Sequence, residues 1–84
     1  MIHPVILPQL TETMEEATIV AWFKSPGERV EKQERLYEVE TDKMTMEVES
    51  VDAGHLCSIR VSAGSSASVG QEIAVIADEQ SECG

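Results

Sequence analysis

Basic side chains are scarce in this chain of 84 residues: six lysines and arginines stand against sixteen aspartates and glutamates, for a net charge of −10. Such a surface repels phosphate backbones and anionic membranes. No basic patch with interleaved aromatics occurs, so neither nucleic acid nor a membrane is expected as a partner. Aromatics are limited to Trp22, Phe23 and Tyr37, and the core must therefore rest on Val, Ile, Leu, Met and Ala. Only two cysteines occur: Cys57 inside an apolar strand pattern and Cys83 near the C-terminus. That placement suggests no disulfide framework, and a reducing compartment is the simpler expectation. No apolar run approaches transmembrane length. The first residues do not read as a secretory signal. A domain this short has a thin core and little room for an enclosed active site.

What is present is a series of short strand-like runs separated by turn signals. Val5 to Leu7 reads as an opening strand, ended by Pro8. Gln9 to Ala17 reads as a polar loop. Thr18 to Lys24, Leu36 to Glu40, Met44 to Glu49, Leu56 to Val61 and Ile73 to Ala77 read as further strands. No segment carries capped 3.6-residue periodicity, so the class is all-β. Residues 79–84 read as a disordered tail or the start of a linker, leaving 1–78 as the folded domain.

The most informative stretch is Glu38-Val39-Glu40-Thr41-Asp42-Lys43-Met44-Thr45-Met46-Glu47-Val48-Glu49. It reads as a hairpin with Asp42-Lys43 as a two-residue turn. Thr41 would face Met44, Glu40 face Thr45, Val39 face Met46 and Glu38 face Glu47. Because strand side chains alternate, Tyr37, Val39, Thr41, Met44, Met46 and Val48 share one face, while Glu38, Glu40, Thr45 and Glu47 share the other. Lys43 is left alone at the tip. Asp-Lys is a poor match to the Asn-Gly or Asp-Gly of tight hairpin turns, so something other than turn energetics can have selected the lysine. Glu38 opposite Glu47 is an unfavourable pair, by up to roughly 1 kcal/mol. The acidic face is either a solvated, aggregation-resistant edge or a collar that steers a basic partner to the tip.

The chain also repeats itself. A shift of 37 residues, the separation of Gly27 and Gly64, lays Ile19 on Leu56, Trp22 on Ile59, Ser25 on Ser62, Leu36 on Ile73 and Val39 on Ile76. Two copies of one supersecondary unit are implied. Packed together they predict two small antiparallel sheets face to face, with Lys43 at one pole and the chain termini at the other.

Other motifs carry little. Ser62 to Gly70 lacks the Gly-Lys-Ser/Thr ending of a phosphate loop and reads as a flexible connection. His3 and His55 have no partners at metal-ligand or nucleophile spacing. The carboxylates are spread along strand faces, and the chain is too short to build a cleft around a pair of them. No catalytic residue and no metal ligand are therefore predicted.

Glu40-Thr41-Asp42-Lys43-Met44 resembles the lipoyl-lysine motif of lipoyl domains from the acyltransferase component of 2-oxo acid dehydrogenase complexes. Leu7 to Glu16 resembles the opening of those domains, Ser25 to Val30 their turn before the second strand, Gly54 the glycine after the hairpin, and Val69 to Ile76 the closing strand. The resemblance runs from Val5 to about Asp78. It implies a flattened β-barrel, or barrel-sandwich hybrid, of two four-stranded antiparallel sheets with quasi-two-fold symmetry. It implies lipoic acid in amide linkage to Lys43, with Glu40, Thr41, Asp42, Met44, Glu12, Met14, Glu38 and Glu47 as recognition residues. The implied partners are a lipoate-attaching ligase or transferase, a thiamine-diphosphate dehydrogenase, an acyltransferase core and dihydrolipoamide dehydrogenase. The implied role is a non-catalytic swinging-arm carrier within a longer acyltransferase chain, in the bacterial cytoplasm or the mitochondrial matrix. Biotinyl domains share the fold but carry Met-Lys-Met where this chain has Asp42-Lys43-Met44. A biotinyl carrier and an unmodified interaction module remain the alternatives.

Three positions depart from the resembled pattern. Ala17 and Gln33 stand where glycine is common, and Val51 where proline is frequent. Ala17 with Trp22 is closer to the succinyltransferase type, and Thr13-Met14 to the acetyltransferase type. The 2-oxo acid, or acetoin, is therefore left open.

Overall fold

The computed structural model describes residues 1–83. Eight strands follow in chain order: β1 (Ile2–Ile6), β2 (Glu16–Trp22), β3 (Arg29–Val30), β4 (Arg35–Glu40), β5 (Thr45–Glu49), β6 (Gly54–Ile59), β7 (Ser66–Ser68) and β8 (Glu72–Ala77). A 3₁₀ turn over Gln80–Cys83 closes the described chain, and no α-helix occurs among the described residues. The strands pair antiparallel in two four-stranded sheets, ordered β1-β8-β6-β3 and β5-β4-β2-β7. They stay two separate sheets rather than one continuous barrel, which makes the molecule a flattened sandwich.

Alternation accounts for part of the core, while β8 is buried along nearly its whole length and Leu36 and Tyr37 are both buried at a slip in the β4–β5 ladder. Ile19, Leu36 and Val39 point inward from one sheet, and Leu56, Ile73 and Ile76 from the other, each essentially fully buried. Burying each such side chain contributes roughly 1.5–3 kcal/mol. Leu7, Val30 and Tyr37 complete this shared interior. Trp22 packs on Tyr37 with ring centroids 5.1 Å apart, and its indole Nε1–H donates to the Val61 carbonyl at 2.9 Å.

The 37-residue repeat is a symmetry of the hydrogen-bonding pattern itself. Ile19 pairs with Val39 and Trp22 with Tyr37 in one sheet; Leu56 pairs with Ile76 and Ile59 with Ala74 in the other. Each ladder slips at the same place, after Ile19 and after Leu56. The Gly27 amide donates to the Leu56 carbonyl at 2.7 Å, and the Gly64 amide donates to the Ile19 carbonyl at 2.6 Å. Both glycines hold φ near +95° (97° and 93°), a conformation that costs other residues dearly. Each half thus sends one short strand into the other half's sheet: β3 pairs with β6, and β7 with β2.

Several sequence expectations require correction. β3 and β7 were not foreseen, because strands of two and three residues are too short to show alternation. The Ser62–Gly70 stretch is consequently not a simple flexible connection; Ala67 within it is buried and pairs with Ala17. β1 begins at Ile2, before Pro4; as an edge strand it tolerates the missing amide. β2 begins at Glu16, taking the last two residues assigned to the loop.

The C-terminal segment is the largest correction. Residues 79–83, expected as a disordered tail or the start of a linker, fold back in the structure, and the 3₁₀ turn packs against β6 and β8. Gly84 lies outside the described residues. Cys83 thereby meets Cys57 in a disulfide with Cα atoms 5.0 Å apart. The two cysteines are 26 residues apart in sequence, and only the return of the chain over β6 brings them together. The expectation that these two cysteines make no disulfide framework is corrected by it.

Candidate functional site

β4 and β5 form the hairpin in the register read from the sequence: Glu38 opposite Glu47, Val39 opposite Met46 and Glu40 opposite Thr45. Tyr37 and Val39 are buried, and Met46 and Val48 are half-buried against the core. The shared face fades toward the tip, where Thr41 is partly covered and Met44 is exposed.

Asp42-Lys43 closes the hairpin without left-handed backbone; Gln33 is the sole non-glycine with positive φ among the described residues. A type I′ turn is therefore absent. Thr41 supplies what the turn lacks. Its amide donates to the Met44 carbonyl at 2.8 Å. Its Oγ1 accepts from the Met44 amide at 3.3 Å and more weakly from the Lys43 amide at 3.4 Å. The hydroxyl also donates to the Met44 carbonyl at 3.2 Å. A threonine side chain thus takes up amides that a glycine-containing turn would pair with backbone.

Lys43 is exposed at this tip. Lys24, Arg29, Arg35 and Arg60 each form an ion pair with a glutamate, at 3.0, 2.9, 2.9 and 2.6 Å. Lys43 makes no salt bridge among the described residues. Lys32 makes none either, but it lies in the β3–β4 turn rather than on a hairpin tip.

The β1–β2 loop stands beside the tip. Thr11, Thr13, Met14 and Glu15 from the loop and Glu16 at the start of β2, with Thr41 and Lys43 from the hairpin, line a cleft of about 390 Å³. The Gln9 side chain braces this loop, its Nε2 donating to the Glu12 and Met14 carbonyls at 3.1 and 3.3 Å. Glu12 is exposed, whereas Met14 is only 6% exposed and belongs to the core. Met14 can therefore shape the loop but offers little surface to a partner. Glu15 and Glu16, absent from the sequence-derived set, also border the cleft. Their signal was the loop's acidity, which has no direction until the fold is known.

The acidic face is less uniform than the sequence implied. Arg35 Nη1 donates to Glu47 Oε2 at 2.9 Å, which offsets the like-charge opposition of Glu38 and Glu47. Arg35 also lies over the Phe23 ring, 5.8 Å from its centroid. Glu15, Glu16 and Asp42, which line the cleft with Lys43, form no salt bridge among the described residues.

The opposite pole holds the chain ends. His3 Nε2 contacts Asp78 Oδ1 at 2.8 Å, and the N-terminal amine pairs with Glu82 and with Asp78. The His3 hydrogen bond holds the Asp78 carboxyl below its ordinary pKa, as the amine does for Glu82. Gly54 turns the chain from β5 into β6; a Cβ there would run into the Ala77 carbonyl oxygen. Its repeat counterpart is Ala17, whose methyl is buried opposite Ala67. This accommodates one of the departures from the resembled pattern.

Comparison with known proteins agrees with this geometry. A dihydrolipoyllysine-residue acetyltransferase component of the chloroplast pyruvate dehydrogenase complex of Arabidopsis thaliana is 41% identical over 81 residues, covering 96% of this chain and 17% of that protein. A dihydrolipoyllysine-residue succinyltransferase component of the 2-oxoglutarate dehydrogenase complex of Staphylococcus saprophyticus is 42% identical over 72 residues, covering 86% and 17%. The chain therefore spans about a sixth of the length of these curated relatives. Among solved structures, the lipoyl domain of the 2-oxoglutarate dehydrogenase complex from Azotobacter vinelandii superposes with a TM-score of 0.73 at 28% identity, covering 90% of this chain and 96% of that one. The family described as biotin-requiring enzyme, which unites biotin and lipoyl attachment domains, matches residues 3–76, and the chain belongs to it.

Proposed function

We propose that this chain is a lipoyl carrier domain in which lipoic acid is joined through an amide to Lys43. The observation that carries the reading is the lysine itself: one exposed amine, free of salt bridges among the described residues, on a hairpin tip whose register is set by two buried ladders. The residues fit the group. An amide removes the lysine charge, and no carboxylate stands within salt-bridge distance of that amine to lose its partner. Bound there, the group supplies a redox-active disulfide able to take up electrons and an acyl unit. The protein's own part is positional. Thr41 holds the tip turn, Val39 and Met46 anchor the strands below it, and the β1–β2 loop walls one side.

The partners of such a carrier are a lipoate-attaching ligase or transferase, a thiamine-diphosphate-dependent dehydrogenase, an acyltransferase core and dihydrolipoamide dehydrogenase. The domain contributes tethering and a high effective concentration rather than catalysis. Its place in a longer acyltransferase chain, with residues 1–78 as the lipoyl domain, belongs to the same proposal. Glu40, Thr41, Asp42 and Met44 form the surface a ligase would read. Glu12, Glu38 and the loop around Met14 form the surface a dehydrogenase would read. The relatives named above come from a bacterium and a chloroplast, and a bacterial cytoplasm or an organelle matrix suits the function.

The test is intact-mass analysis of protein produced with a lipoylating enzyme. Wild type and Lys32→Gln should gain one lipoyl group, and Lys43→Gln none, with the β-sheet spectrum of all three unchanged. An adduct retained by Lys43→Gln, or a biotinyl mass in place of the lipoyl one, would overturn the assignment.

A further inference from the structure

The Cys57–Cys83 bridge is not accounted for by anything at the Lys43 pole. Leu56 points into the core with no exposed surface, whereas Cys57, the extra residue at the slip in the β6–β8 ladder, is only half-buried and is bonded to Cys83. There the 3₁₀ turn Gln80–Cys83 lies against β6 and β8. The turn buries none of its side chains, and no residue from 78 to 83 belongs to the hydrophobic core. Its remaining ties are the pairing of the N-terminal amine with Glu82 and with Asp78, His3 Nε2 on Asp78 Oδ1 at 2.8 Å, the Glu79 amide on Glu82 Oε1 at 3.0 Å and the Asp78 amide on the Met1 carbonyl at 3.0 Å. These side-chain ties are exposed, and exposed ion pairs hold weakly. The disulfide is thus the principal fastening of this segment, and its Cys83 end is exposed to solvent.

We propose that Cys57–Cys83 is a thiol–disulfide exchange site whose substrate class is a dithiol, and that reduction unlatches residues 79–83 from the outer face of β6 and β8. The exchange balances without any further reagent. A thiolate of the dithiol attacks the sulfur of Cys83, the more exposed residue of the pair, breaking the Cys57–Cys83 bond and releasing Cys57 as a thiolate. The second thiol of the dithiol then displaces Cys83 and closes its own ring. Two electrons and two protons pass from the dithiol to the cysteines. Because the latch lies outside the core, the two sheets persist when it opens. The inference does not rest on what Lys43 carries.

The experiment uses the full chain, handled in air and then treated with N-ethylmaleimide. No adduct should form before reduction. Two should form after dithiothreitol, and two after free dihydrolipoamide. On reduction, amide exchange at residues 79–83 should rise at least tenfold while β4, β6 and β8 keep their protection. Cys83→Ser should show the same loosened segment with no reductant. Two adducts in the untreated protein would mean that the bridge does not form. A bridge left closed by both dithiols would refute the exchange site. Unchanged protection of 79–83 in the reduced protein and in Cys83→Ser would show that the disulfide is not the latch.

Discussion

Gln33 sits at φ 68°, in the left-handed region that side chains bearing a Cβ rarely occupy. Its amide donates to the Ser50 carbonyl at 2.8 Å, and the Ser50 amide donates to the Glu34 carbonyl at 2.9 Å, so the turn is pinned and the backbone cannot relax. The resemblance marked this position as one where glycine is common, and the backbone supplies the reason. Left-handed residues other than glycine cost about 1 kcal/mol. Gln33→Gly should raise the melting temperature by about 4–8 °C for a domain of this size. Differential scanning calorimetry decides it, and a variant that melts at or below the parent temperature refutes the strain.

Tyr37 is the chain's single tyrosine and is 1% exposed. Burial away from water pushes its phenol up to about 12. The folded state favours the neutral phenol, so the stability tied to this group is complete below the ordinary tyrosine value near 10. It is lost as pH rises through the folded value. Absorbance at 295 nm should therefore show no tyrosinate near pH 10, and ionisation near 12 should coincide with unfolding. Ordinary titration near pH 10 with intact near-ultraviolet dichroism would contradict the buried phenol.

Among the elements, the hairpin shows most directly how register creates a site. Glu40 is the last paired residue of β4, opposite Thr45, and Lys43 follows three residues later. An extra residue between Val39 and Glu40 would turn Glu40, Thr41 and the tip to the opposite faces, since strand side chains alternate. The core up to Val39 would stay in place. That insertion variant should remain folded and lose modification by the lipoylating enzyme, read by intact mass. Full modification would show that the enzyme reads the local sequence rather than the position of the tip.

On the scale of the whole molecule the net charge of −10 is unevenly used. Arg35 partners Glu47, whereas Glu38 and Glu40 have no basic partner on the hairpin's outer face. Exposed charges act mainly on encounter rates, and salt screens them with a Debye length of about 10 Å at 0.1 M. Replacing Glu38 and Glu40 by Gln should slow acylation of the lipoylated domain by its dehydrogenase several-fold at low salt and little at high salt. Glu47→Gln should have a smaller effect, because it removes a charge already offset by Arg35. Rates measured across ionic strengths decide this; equal low-salt rates for parent and double variant would leave the acidic face as a solvated edge only.

The sequence alone carried everything that depends on short-range periodicity. The hairpin register and the shared face of Tyr37, Val39, Met46 and Val48 follow from period-two alternation, because neighbours along a strand must face opposite ways, and the isolation of Lys43 follows from its place at the tip. The 37-residue repeat carried the two-fold arrangement for the same reason: equal patterns make equal ladders. Contacts between residues far apart in sequence were settled by tertiary structure alone. The crossing of β3 and β7 between halves depends on pairs of two or three residues, too brief to leave a pattern. The pairing of Arg35 with Glu47, the burial of Met14 beneath the β1–β2 loop and the meeting of Cys57 with Cys83 arise because folding closes long loops whose ends carry no mark of one another.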